Sequence, residues 1–179
     1  MGALKYGLVI VIFCVFGFFP NPDDDTIIWS SDYRLTWTDF KDKPLLGTRA
    51  AALTASGINY RFSTTGGAEN LKVDFEVSTH FYPNRSWYKP ELCDELILGH
   101  EQLHFDIAEL YARRLRTQLS ETTFTFGNVK SKVREIYRKN NEALNDFQHR
   151  YDQETNFSRN REEQLKWNKK IKVDLGLEE

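Results

Sequence analysis

Two cysteines in 179 residues are too few for a disulfide-rich scaffold. A formal net charge of −2, from 24 Lys and Arg against 26 Asp and Glu, lacks the basic footprint of a nucleic-acid binder. No apolar run reaches the roughly 20 residues that span a bilayer comfortably. The sequence has no internal repeat and no low-complexity segment. Core material, by contrast, is ample. Hydrophobic residues make up 40% of the chain and aromatic residues 14%, which excludes a disordered chain, and the length suits one compact domain.

The longest apolar run, residues 6–19, follows a short, weakly basic start and ends at Pro20-Asn21-Pro22-Asp23-Asp24-Asp25. It has no polar face, unlike an amphipathic core helix. Its length is that of the apolar region of a secretory signal. Val15-Phe16-Gly17 is a poor cleavage site, and the bulky Ile12 and Phe13 before Cys14 argue against a lipidated cysteine. Residues 1–20 are therefore expected to be a signal peptide or an N-terminal membrane anchor, with residues 21–28 a linker and residues 29–179 the domain. The protein is expected to be exported: periplasmic, secreted or envelope-anchored, and touching the membrane only through that anchor. Without the leader Cys93 is alone, so it forms no internal disulfide and is expected to be a small buried apolar residue.

Residues 27–83 alternate strand and turn signals. Ile27-Ile28-Trp29 and Leu35-Thr36-Trp37 read as short strands, residues 51–63 as a longer one, and Thr64-Thr65-Gly66-Gly67 as a turn. Residues 71–81 then place Leu71, Val73, Phe75, Val77 and Thr79 on one face and Lys72, Asp74, Glu76, Ser78 and His80 on the other. That is a strand with one buried and one wet face, and His80 is expected to be exposed. The last two strands should form a hairpin.

Residues 91 to about 120 read as a long helix that starts near Pro90 and carries Leu92, Leu96, Leu103, Ile107 and Leu110 at helical spacing. Within it lies His100-Glu101-Gln102-Leu103-His104. Residues four apart on a helix differ by about 40° in direction, so both imidazoles can grip one metal ion. Glu101 is rotated about 100° from His100, where it can flank the metal and take a proton from zinc-activated water. This is the HExxH arrangement of zinc peptidases. The alternative is a pair of hydrogen-bonded core histidines on a structural helix. A catalytic zinc normally has a third protein ligand. Ile107 and Leu110 stand where the elongated metzincin pattern would need Gly and His, which excludes that class. Glu109 faces elsewhere, as a supporting or salt-bridging residue.

Residues 129–151 read as a second amphipathic helix packing on the first, ending in His149-Arg150-Tyr151-Asp152-Gln153-Glu154-Thr155. Asp152 or Glu154 could be the third ligand, with helical phase favouring Glu154. Tyr151 or His149 could donate a hydrogen bond to a developing oxyanion. Residues 159–172 read as a solvated helix with Leu165, Trp167 and Ile171 as its packing stripe.

Nearly the whole mature chain resembles a bacterial family known as domain of unknown function 922, whose members are described as secreted zinc-dependent proteases. The matching residues, in order, are Trp37-Thr38-Asp39-Phe40, Ser86-Trp87, His100-Glu101-Gln102-Leu103-His104-Phe105-Asp106-Ile107 with Glu109 and Arg113, then Tyr151-Asp152, Thr155, Gln164 and Trp167. The resemblance implies a small zincin-like α+β domain: an antiparallel or mixed sheet, a long HExxH helix and a second packed helix. It implies a metallopeptidase activity that is mostly inferred, and it weights Asp152 over Glu154 as third ligand. Many members carry His-Gly where this chain has Phe157-Ser158.

The expectation is an exported, monomeric zinc metallohydrolase acting on peptides or proteins. His100, His104 and Asp152 would hold Zn2+, Glu101 would be the general base and Tyr151 the oxyanion donor. In zincins an edge strand beside the active helix binds substrate, and residues 71–81 are expected to be that ledge. The rival is a non-catalytic zincin-like binding module of the cell envelope. A metal-dependent amidase acting on cell-wall material shares the chemistry and differs in substrate.

Overall fold

The computed structural model describes residues 25–67 and 69–177, so the leader and the start of the linker lie outside the described residues. The fold is α+β, with two small antiparallel sheets and three helices. β1 (Ile27–Ile28), β4 (Lys72–Phe81) and β3 (Ser56–Thr65) form one sheet in the order β1-β4-β3. β2 (Ala52–Leu53) pairs with β5 (Trp87–Tyr88) in the other. The expected β3–β4 hairpin is present, with Tyr60 opposite Val77. Its apolar face packs against α1 (Glu95–Ser120), which α2 (Val129–Glu154) and α3 (Arg161–Asp174) also cover. A smaller core gathers Leu35, Phe40, Phe81 and Phe105. No helix among the described residues is long and apolar enough to cross a membrane.

Several local expectations need correction. Leu35-Thr36-Trp37 is not a strand. The Asp39 carboxylate accepts the Thr36 amide at 2.7 Å and closes a 3-10 turn, Trp37–Asp39. Residues 51–63 divide into β2 and β3, and β3 runs on through Thr65, so the turn comes later, at Gly66 with its positive φ of 92°. α1 starts at Glu95, after Pro90. Asp94 is its N-cap, accepting the Ile97 amide at 3.0 Å, which leaves Leu92 outside the helix and exposed. The packing stripe of α3 is Gln164, Trp167 and Ile171, and Leu165 is exposed. His80 is half-buried, bonded to Ser78 and Thr26, and burial lowers its proton affinity. Cys93 is half-buried too. Its thiol donates to the Ala51 carbonyl, and burial pushes its pKa up.

α1 is covered on every side from His100 to Ala112. A helix buried all round must satisfy each polar side chain internally. Gln102 accepts the Leu35 amide at 2.7 Å, and Asp106 accepts the Trp29 indole N–H at 2.7 Å. Glu109 accepts from Thr79 and forms ion pairs with Arg113 and Arg116, the salt-bridging role expected for it. These contacts fix the rotation and height of α1, and with them the direction of its two histidines.

Candidate metal centre

His100 and His104 lie one turn apart on α1, both buried, and α2 brings Asp152 to them. The Nε2 atoms of His100 and His104 stand 3.1 and 3.0 Å from the same carboxylate oxygen, Asp152 Oδ1. The ligand atoms of the three residues all lie within 4.8 Å of one another. Of the two acids left open by helical phase, Asp152 is the one at the histidines. The Glu154 carboxylate is exposed and accepts the Trp167 indole N–H at 2.9 Å. His149 is exposed on α2 and is not one of the three.

On the far side of each imidazole a glutamine oxygen stands ready to accept the Nδ1 proton. Gln164 on α3 presents its amide nitrogen to the Tyr151 hydroxyl at 2.7 Å and to Asn168 Oδ1 at 2.8 Å. Its oxygen therefore faces His100 Nδ1, at 2.9 Å, and accepts that N–H. Gln148 Oε1 on α2 accepts from His104 Nδ1 in the same way. A neutral imidazole that donates from Nδ1 has a lone pair on Nε2. Once the Nε2 positions give up their protons, two such lone pairs and a carboxylate oxygen converge on one buried point.

Three converging acceptors repel unless a proton or a metal cation lies among them. Burial pushes the His104 imidazole down, but the Asp152 carboxylate, with help from Glu101 and Gln148, raises it to about 9. Burial pushes the Asp152 carboxyl up, yet the charges and hydrogen bonds of His104 and His100 hold it well below the usual carboxylate range. Asp152 Oδ2 is buried with no hydrogen-bond partner among the described residues. A tetrahedral zinc with bonds of about 2.0–2.1 Å needs ligand atoms roughly 3.3 Å apart. The donor set, its spacing and the orphaned oxygen all fit such an ion.

Tyr151 occupies a different place from the one expected of an oxyanion donor. It is fully buried and stacks on His100 with ring centroids 4.5 Å apart. Its hydroxyl bonds Gln164 and reaches the His100 carbonyl at 3.2 Å. Burial raises its pKa well above the usual value, so it stays a neutral phenol. It positions His100 and does not line the cleft described next.

A cleft of about 270 Å³ opens beside the trio, with His100, Glu101 and Asp152 in its lining. Residues 49–54, which include β2, contribute one part of its lining, and Phe157, Ser158 and Arg159 contribute another. Thr54 ties the first part to α1 by donating to the Glu101 carbonyl at 3.3 Å. β4, expected as a substrate ledge, does not reach the cleft. It is the middle strand of its sheet, paired to β1 and β3, and its apolar face is spent on α1. The strand beside the site is β2.

The segment after α2 has an unusual backbone. Asn156, Phe157 and Ser158 all take positive φ, at 48°, 53° and 70°. Asn tolerates this region, but for Phe157 and Ser158 it costs roughly 1–2 kcal/mol each. The run is held by the Phe157 amide donating to the Asp152 carbonyl and the Asn160 amide to the Thr155 carbonyl, both at 2.8 Å. The buried Thr155 hydroxyl donates back to the Tyr151 carbonyl at 2.7 Å.

Sequence reasoning passed over Gln148 as a site residue, and it met Gln164 only through the family resemblance. Both occupy stripe positions otherwise apolar: Gln148 follows Leu144 by four, and Gln164 precedes Trp167 by three. A glutamine on the buried face of an amphipathic helix was the available signal.

No curated protein and no solved structure matches the chain. A family model does match, over residues 39–159, a span that includes both histidines, Asp152 and the left-handed run and stops short of α3. With more than half of its length matched, the chain belongs to the family described as bacterial protein of unknown function, DUF922.

Proposed function

We propose that the protein is a zinc-dependent hydrolase that cleaves peptide bonds, and that it works outside the cytoplasm, as the apolar residues 6–19 suggest. The observation that carries the reading is the convergence of two imidazole lone pairs and one carboxylate, with both Nδ1 atoms held by glutamine oxygens. His100, His104 and Asp152 would hold the ion. When bound, zinc supplies Lewis acidity, which lowers the pKa of water toward neutrality and polarises a carbonyl.

The remaining chemistry belongs to the chain. Glu101 follows His100 on α1, is buried, and lines the cleft. Its charge already acts on His104. It would accept the proton of the attacking water and deliver it to the leaving amine. Gln148, Gln164 and Tyr151 would keep the two imidazoles in the ligating tautomer and orientation. Residues 49–54, beside the cleft, would receive the substrate.

Glu101→Gln tests this reading. The zinc-loaded variant should keep one zinc per chain and lose about 100-fold or more of casein or peptide cleavage. Zinc-loaded wild type that cleaves nothing across a broad peptide library would contradict the peptidase reading and point to a zinc-holding binding module.

A further inference from the structure

Arg49 and Arg159 both line the cleft, one from the segment before β2 and one from the segment after α2. Both are exposed, and neither guanidinium has a hydrogen bond or ion pair among the described residues. Elsewhere the chain pairs many of its cations: Arg61 with Glu76, Arg113 and Arg116 with Glu109, Arg138 with Glu142. The two acids that share the cleft are both buried: Asp152 is one of the metal trio, and Glu101 lies on α1 next to His100. With a divalent ion bound, those two carboxylates and the ion cancel in charge. The arginines then leave the mouth of the cleft positive.

The backbone adds a second, independent observation. Arg159 directly follows the three left-handed residues, the second of which, Phe157, donates its amide to the Asp152 carbonyl. Strain of this kind persists where surrounding structure over-determines it, and it collects at binding sites. Here it brings Phe157, Ser158 and Arg159 into the cleft lining, tied to the residue that would hold the metal. A guanidinium offers a planar fork of donors that matches a carboxylate with two parallel hydrogen bonds.

We propose that Arg49 and Arg159 bind a carboxylate of the substrate, so that the protein prefers peptides carrying an acidic side chain or a free C-terminus close to the scissile bond. The inference rests on the peptidase reading for its substrate class. The contact is exposed, so the preference weakens with salt. It acts on substrate binding and therefore on KM more than on kcat.

Three alanine-based peptides with one scissile context test it on zinc-loaded full chain: blocked and neutral, blocked with one Glu, and open at the C-terminal carboxylate. The Glu peptide, the open peptide or both should exceed the neutral one in kcat/KM by about tenfold, chiefly through KM, and the arm that wins identifies the source of the carboxylate. In the Arg49→Gln, Arg159→Gln double variant the ratio should fall to within about twofold of unity, and Arg159→Glu should favour a Lys peptide instead. Equal kcat/KM for all three peptides in the wild type, or a preference that survives the double variant, overturns the proposal. If the wild type cleaves none of them, the peptidase reading fails, and binding of the same peptides to zinc-loaded Glu101→Gln decides this inference alone. Binding of a carboxylate-bearing peptide about fivefold or more tighter than the neutral one upholds it, and equal binding overturns it.

Discussion

Gln164 Oε1 on α3 takes the Nδ1 proton of His100 on α1 at 2.9 Å, across 64 positions of the chain. This bond leaves the ligating nitrogen bare, so it should govern metal affinity from a residue that cannot touch the metal. Replacing Gln164 with Leu keeps the volume and removes the acceptor. Zinc affinity, measured by competition with a chelator, should fall about 10–100-fold. The Tyr151 hydroxyl would lose one of its two partners as well, keeping the His100 carbonyl, so the variant should also be about 1–3 kcal/mol less stable. Unchanged affinity would contradict the role assigned to the glutamine.

How much of this centre was legible in the sequence depended on chain distance. His100, Glu101 and His104 fall within one turn and a half of one helix, so their mutual geometry follows from helical pitch. The choice between Asp152 and Glu154 does not. Those residues lie about 200° apart around α2, and only the packing of α2 on α1 decides which one faces the histidines. Phase reckoned from Tyr151 pointed toward Glu154, because it could not register that Trp167 on α3 would engage that carboxylate. The start of α1 was misjudged for a local reason. Pro90 signals a start near residue 91, whereas Asp94, a better N-cap, stands four residues on. The cleft was misplaced for a topological one. β4 has the clearest alternation in the chain, but that pattern reports burial on α1, and the strand at the site, β2, is only two residues long.

Tyr151→Phe separates a positioning role from an oxyanion role. The hydroxyl bonds Gln164 and the His100 carbonyl inside the core. Its removal should cost about 1 kcal/mol of stability and lower kcat by less than about tenfold. Loss of a true oxyanion donor lowers kcat by about 100–1000-fold. A drop of that size, with zinc content intact, would restore Tyr151 to the reaction.

The metal-free protein should show a pH dependence that zinc abolishes on one side. Asp152 raises His104 from 6.5 to about 9 in the folded chain. A raised folded pKa contributes stability that is full below about 6.5 and is lost as pH rises through about 9. Asp152 is shifted the other way, below its usual 3.8, so its contribution is present above that value and is lost as pH falls beneath it. Denaturation midpoints of metal-free protein should therefore decline from near-neutral toward alkaline pH. Zinc displaces the His104 proton, so the loaded protein should lack that alkaline decline through pH 9. Near pH 7 binding should release about one proton per zinc, read by calorimetry in buffers of different ionisation enthalpy.

Gly99 lies within α1, one residue before His100, with open space where a Cβ would stand. Its backbone is helical and needs no glycine. Gly99→Ala should stabilise the protein by about 0.5–1 kcal/mol in denaturant unfolding, by removing conformational freedom from the unfolded chain. A loss of stability would mean that α1 is less regular at this point than the structure describes.

The most direct measurement is zinc stoichiometry on purified protein, wild type against His104→Ala. Wild type should bind one zinc per chain tightly enough to survive gel filtration, and His104→Ala should bind none under the same conditions while remaining folded by circular dichroism. Equal and negligible zinc in both proteins would contradict the metal centre.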